Sequence, residues 1–190
     1  MATKKTVSKQ QQKKKRWFNI LASPEFRNVI IGETPSFAPE SLVGRSIRVN
    51  LMTMTRDPKK QNFSVSFKVK EIKGSDAHTE LARYEMGTVH IKRVVKRGKD
   101  KVDDSFVVTT SDNVQLRVKP FLITKNKVQH SVLTTLRKVS REFIESEAKG
   151  KSCSDFWVSV LSSDLQRSMR GVLKKIYPLA LVEIRMLVRL

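Results

Sequence analysis

Between Lys92 and Lys101 the chain carries Lys92, Arg93, Lys96, Arg97, Lys99 and Lys101, and Asp100 is the single opposing charge. Lys125 and Lys127 flank Asn126 after Thr124, and Arg137, Lys138 and Arg141 follow. Arg56, Lys59 and Lys60 surround an Asp-Pro turn. Lys4, Lys5, Lys9, Lys13, Lys14, Lys15 and Arg16 come before the first acid, Glu25. Clusters of this kind neutralise phosphates, and each neutralised phosphate of a nucleic acid releases a condensed counterion. Groups suited to covalent or metal chemistry are sparse. His78, His90 and His130 are far apart, and none has metal-ligand spacing with Cys153. The glycines are scattered, with no phosphate-cradling loop, and no nucleophile motif surrounds a serine. Asp103-Asp104 is an adjacent acidic pair, but neighbours in a strand point to opposite faces and do not readily share a metal. The sequence predicts no enzyme, no metal and no cofactor.

The balance of the chain agrees. Its 190 residues suffice for one domain with a core. Lys plus Arg number 38 against 18 acids, a net charge of +20, and so dense a charge repels itself unless a polyanion compensates. Nucleic acid is the expected partner, and an anionic membrane surface is the alternative. No apolar run approaches 18 residues, so no membrane span is predicted. Trp17–Ala22 is too short and too polar for a signal-peptide core. One cysteine excludes an internal disulfide and suits a reducing, intracellular compartment.

The cations need elements to carry them. Val114, Leu116, Val118 and Leu122 share one strand face, with Gln115, Arg117 and Lys119 opposite. A polar loop, Thr124–Lys127, leads into a helix whose Val128, Val132, Leu136, Val139 and Phe143 form one stripe, with Arg137, Lys138 and Arg141 on its other side. Strands are predicted at Phe26–Ile31, at Arg45–Met54 and from Phe63 to Val69, the last two forming a hairpin. A bulge or strand end is expected near Glu71-Ile72. Further strands are predicted at His78–Tyr84, at Val102–Thr110 and at the end of the chain, where Val182, Ile184, Met186 and Val188 alternate with Glu183, Arg185 and Arg189. Met86–Arg97 fits a short helix and a strand equally. Gly150 closes the long helix. Ser154-Asp155 starts another, and Ser162 or Ser163 caps a third bearing Leu165, Met169, Val172, Leu173 and Ile176. Residues 1–16 have too little apolar content to order themselves and read as a disordered basic arm that binds RNA, with a solubilising tail or a localisation signal as the alternative, on a single globular domain of residues 17–190. Trp17-Phe18 ends the arm, where anchoring to the body and stacking on bases are the alternatives.

Several segments in this order carry a resemblance. They are the basic arm with Trp17, Arg27-Asn28-Val29-Ile30-Ile31-Gly32, Leu42-Val43-Gly44-Arg45, the Asp112-to-Lys127 strand and loop, the basic helix, and Lys175-Ile176-Tyr177-Pro178-Leu179. From about Lys13 to Leu190 the chain resembles the S3Ae (eS1) family of small-subunit ribosomal proteins of archaea and eukaryotes. The resemblance implies an α+β fold, with a mostly antiparallel, barrel-like sheet flanked by three to four helices. It implies a structural role in translation: cytoplasmic, on the platform of the small ribosomal subunit, bound to ribosomal RNA (rRNA) beside neighbouring platform proteins and near the messenger exit, with no membrane. The family's RNA-facing loop and helix start map onto Thr124, Lys125, Asn126, Lys127, His130, Arg137, Lys138 and Arg141. Eukaryotic members carry more Arg and Lys where this chain has Val128-Gln129 and Val132-Leu133, and they extend further. Ending at Leu190, the chain resembles the shorter archaeal form. A free RNA-binding regulator or RNA chaperone is the alternative reading.

Overall fold

The computed structural model describes residues 14–190; the arm cations Lys4, Lys5, Lys9 and Lys13 lie outside the described residues. Strand β1, Arg16–Leu21, pairs antiparallel with β2, Ile30–Ser36. The strand expected at Phe26–Ile31 is displaced. Pro24–Phe26 form a 3-10 turn, and Arg27 and Asn28 both take positive φ, so the chain reverses before pairing can begin. Pro35 sits within β2 because that strand pairs only with β1, and an edge tolerates a missing N–H.

Strand β3, Ser46–Asn50, is shorter than its alternation suggests. The Asn50 side chain accepts the Met52 amide (2.9 Å) and caps helix α1, Leu51–Thr55. A 3-10 turn at Pro58–Lys60 leads to β4, Phe63–Lys73, and β5, Asp76–Met86. These strands pair in the order β3-β4-β5, and the bulge expected near Glu71 lies between Val69 and Glu71. Thr88–Val94 is helix α2, which resolves the open reading there.

The strand expected at Val102–Thr110 is two strands, β6 at Lys101–Asp103 and β7 at Phe106–Thr109. Both pair with β8, Gln115–Thr124, in one unbroken register. The gap falls opposite Pro120, which has no N–H to continue the ladder. Three helices follow: α3 at His130–Lys149, α4 at Cys153–Leu161 and α5 at Asp164–Leu173. Helix α4 starts earlier than expected, because the Ser152 hydroxyl accepts the Asp155 amide (3.2 Å).

The last strand, β9 at Leu179–Arg189, inserts between β5 and β8. Its expected face of Val182, Ile184, Met186 and Val188 breaks after Ile184. Lys119 pairs with Met186 and Pro120 with Ile184, so Arg185 is an extra residue, and Leu187 takes the core position instead. The nine strands form one mixed sheet with path β2-β1-β5-β9-β8-β6, every pair antiparallel except β1 with β5. The sheet is open at β2, β3 and β6 and does not close into the expected barrel. Five α-helices, two of them short, replace the expected three to four among the described residues.

Helices α3, α4 and α5 cover one sheet face. Leu136, Ile144, Ala148, Phe156, Trp157, Leu165, Met169 and Leu173 pack there on Leu116, Val118, Leu122, Val182, Ile184 and Leu187. Val172 and Ile176, expected on the apolar side of α5, are exposed. On the opposite face Phe121, Ile123 and Met86 form a small core beneath Ile91 and Val94 of α2. The end of β8 is therefore buried on both sides.

Candidate nucleic-acid interface

Three loops converge at the end of β8, held by backbone and one carboxylate. The Thr124 amide donates to the Asp100 carbonyl (2.9 Å), and the Asp100 amide donates back to Thr124 Oγ1 (2.9 Å). The Asp100 carboxylate accepts the Val128 amide (2.8 Å). The Lys125 amide donates to the Pro178 carbonyl (3.2 Å), which brings in the turn between α5 and β9. Asp100 thus fastens one cationic loop to the next.

Lys99, Lys125 and Lys127 lie on the two fastened loops, and Lys101 opens β6 where the first of them ends. None of their side chains has a carboxylate within 4.0 Å among the described residues. Thr124, expected to meet RNA, is fully buried. Its hydroxyl donates to the Asn126 carbonyl (2.7 Å), so Thr124 positions the loop and offers nothing to a ligand. Asn126 and His130 are exposed, and His130 opens α3. Sequence reasoning missed Lys174 and Lys175, exposed on the third loop and equally free of carboxylates. The available signal was their place just before the Tyr177-Pro178 stop.

Helix α2 turns Lys92 and Arg93 outward, and exposed Lys96 and Arg97 continue toward the same loops. Ile91 and Val94 seat this helix on the sheet, so its cations ride on a packed element. Burial first and the Arg93 charge second push the His90 imidazole below its ordinary value. The Arg56, Lys59 and Lys60 corner approaches the start of α2 through a Gly87 amide bond to the Asn62 carbonyl (2.7 Å). These cations are also unpaired.

On α3, Arg137 and Lys138 are exposed and have no carboxylate within 4.0 Å among the described residues. Arg141 departs from expectation. It pairs with Glu145 (3.4 Å), and its guanidinium lies 4.9 Å from the centre of the Phe106 ring, so it packs the helix onto β7. Lys14, Lys15, Arg16 and Trp17 occupy a separate place at the start of β1. Phe18 alone is the anchor, 5% exposed, whereas Trp17 is 65% exposed. The anchoring reading of the aromatic pair therefore fails for Trp17.

Elsewhere acids occupy the cations. Glu85 lies near Arg48 (3.8 Å) and Arg83 (3.2 Å), and Glu80 near Arg189 (3.0 Å) and Lys70 (4.0 Å). Asp103, in the acidic pair noted above, bonds Arg185. On β9, burial pushes the Glu183 carboxyl up to about 7 against the opposing pull of Arg170. The Arg170 guanidinium itself donates to the Leu179 and Ala180 carbonyls (3.3 and 3.2 Å). Among the described residues no group of three or more His, Cys, Asp or Glu could hold a metal ion, and no helix is long and apolar enough to cross a membrane.

Known proteins resemble this chain in sequence. The profile of the Ribosomal S3Ae family matches residues 3–188. The chain is 35% identical over 166 residues to small ribosomal subunit protein eS1 of Nanoarchaeum equitans, covering 87% of this chain and 84% of that protein. It is 31% identical to the eS1 protein of Halorubrum lacusprofundi (97% and 86% covered) and 32% identical to that of Methanothrix thermoacetophila (97% and 88%). With a match that runs from before the first strand to the end of β9, the chain belongs to the ribosomal S3Ae family.

Proposed function

We propose that the protein is a structural constituent of the small ribosomal subunit, cytoplasmic, and that it holds rRNA through backbone phosphates. The observation that carries this reading is the fastened group of loops. Asp100 and Thr124 fasten together the segments that carry Lys99, Lys101, Lys125 and Lys127, the Lys125 amide joins them to the turn that follows Lys174 and Lys175, and among the described residues no carboxylate lies within 4.0 Å of these cations. Cations held close at a cost in mutual repulsion suit a surface where phosphates are also close. Folded RNA supplies that surface, and it is recognised mostly by shape and backbone. The names of the relatives supply the setting, the small subunit. The site on the platform near the messenger exit, with neighbouring platform proteins and passing messenger as further partners, is part of the same proposal. The cations of residues 1–16 add to the same phosphate contacts.

Sucrose-gradient fractionation of native lysate at moderate and then high salt tests the reading. The protein should sediment with the small subunit and resist the salt wash. Recovery at the top of the gradient would instead make it a free RNA-binding regulator or chaperone.

A further inference from the structure

Trp17 and Phe37 flank an open cleft of about 670 Å³, walled by Lys14, Arg16, Gly74 and Ser75. Trp17 is 65% exposed and Phe37 57%, although a strand and a loop held in place by hydrogen bonds carry them. The Asn19 amide donates to the Ser75 carbonyl (2.9 Å), and the Asn19 side chain donates to Asp76 (3.0 Å). The β4–β5 turn is thereby fixed against β1. On the other wall the Ser36 hydroxyl donates to the Ala38 carbonyl (2.8 Å), which bends the chain and leaves the Phe37 ring outside. Two aromatic faces are thus presented to solvent by backbone that does not need them for packing.

The surroundings indicate the occupant. The Lys15 ammonium stands 5.2 Å from the centre of the Phe37 ring. Lys14, Lys15 and Arg16 have no carboxylate within 4.0 Å among the described residues. An apolar protein segment would use the rings and leave these cations idle. An unpaired nucleotide uses both, its base on an aromatic face and its phosphate on a cation. The cleft volume falls within the roughly 300–1,000 Å³ of small-ligand sites.

We propose that the Trp17–Phe37 cleft binds an unpaired base of single-stranded RNA, as a site separate from the cationic loops at the end of β8. This rests on the RNA-binding reading above and adds the class of RNA: a flipped or single-stranded nucleotide here, phosphate backbone there.

The chain has two tryptophans, and Trp157 is only 2% exposed, so the red-shifted emission reports Trp17. The full chain is titrated with hexauridylate and with a blunt RNA duplex long enough to stay fully paired. Hexauridylate should quench the exposed emission, and the duplex should bind without quenching it. By anisotropy of labelled RNA, Trp17→Ala should weaken hexauridylate about tenfold, with duplex affinity unchanged, and Trp17→Phe should restore most of the loss. Phe37→Ala should act in the same direction. If the duplex binds while hexauridylate leaves Trp17 emission and the variants' affinities unchanged, the cleft proposal is overturned alone. If neither RNA binds, the RNA reading of the whole protein falls with it.

Discussion

Charge is handled in opposite ways in two regions of the sheet. Along β3, β4, β5 and the end of β9, Arg48, Lys70, Arg83 and Arg189 face Glu85 and Glu80 within 4.0 Å. At the end of β8 the Asp100 carboxylate accepts a backbone N–H, and among the described residues the lysines on these loops have no carboxylate within 4.0 Å. Pairing in the first region serves the sheet itself. In the second, a single acid gathers the lysines without neutralising their side chains, and what neutralises them must come from outside. A residue's sign therefore says little, and what its partner is doing says more.

The sharpest break of this contrast is charge reversal. Lys125→Glu with Lys127→Glu should lower affinity for duplex RNA roughly a hundredfold at low salt and flatten the slope of log K against log salt by about 1.5, two phosphate contacts' worth. Lys70→Glu with Lys73→Glu should move the slope far less, since Glu80 and Glu71 already hold those side chains. Equal effects in filter binding would mean that total charge governs binding and that the loops have no privilege.

Next in size is the fastening itself. Asp100→Ala leaves the Val128 amide without its acceptor and should cost about 1–3 kcal/mol by urea unfolding. RNA affinity should fall as well, although the net positive charge rises. A gain in affinity would show that the geometry of the loops is unimportant.

Glu183 tests the interior. Burial disfavours its charge and pushes its carboxyl from the ordinary 4.5 up to about 7, against the pull of Arg170. The acid form favours the fold, so this contribution is present below pH 4.5 and lost as pH rises through about 7. Glu183→Gln should therefore stabilise the protein at pH 8 by about 1–2 kcal/mol, less than the full shift because the carboxyl keeps some solvent. Thermal melts at pH 5 should show little difference. The smallest effect belongs to the paired surface. Glu80→Gln should change stability by less than about 1 kcal/mol, and 0.5 M salt should erase the difference.

The sequence was most legible where one face of an element meets one core. The period of two survives in the first half of β8, and the helical stripe of α3 survives from Val132 to Phe143, since each packs there on a single partner layer, whereas Val128 lies before the helix. It was least legible where a distant residue decides. Whether Val102–Thr110 is one strand or two depends on Pro120 across the ladder. The face exposed by β9 changes at Arg185, whose spacing looks ordinary in the chain. Asp100 reads in sequence as a diluting charge among lysines, and its bond to Val128 appears only when the two loops meet. Trp17 was open to both anchoring and stacking because both need an aromatic. Only the burial of Phe18 beside it separates the two. Nothing in the chain joins the turn after Lys174 and Lys175 to Lys125, and only the bond from the Lys125 amide to the Pro178 carbonyl does so.

The position of β9 has a temporal side. It is central in the sheet yet follows every other strand in the order of synthesis. Until it emerges, β1–β5 and β6–β8 are two half-sheets, each with a bare edge toward the other. A nascent chain in that state offers unpaired N–H and carbonyl groups and a divided core while it already carries most of its positive charge. Completing the fold is then a single late event, the arrival of Leu179–Arg189.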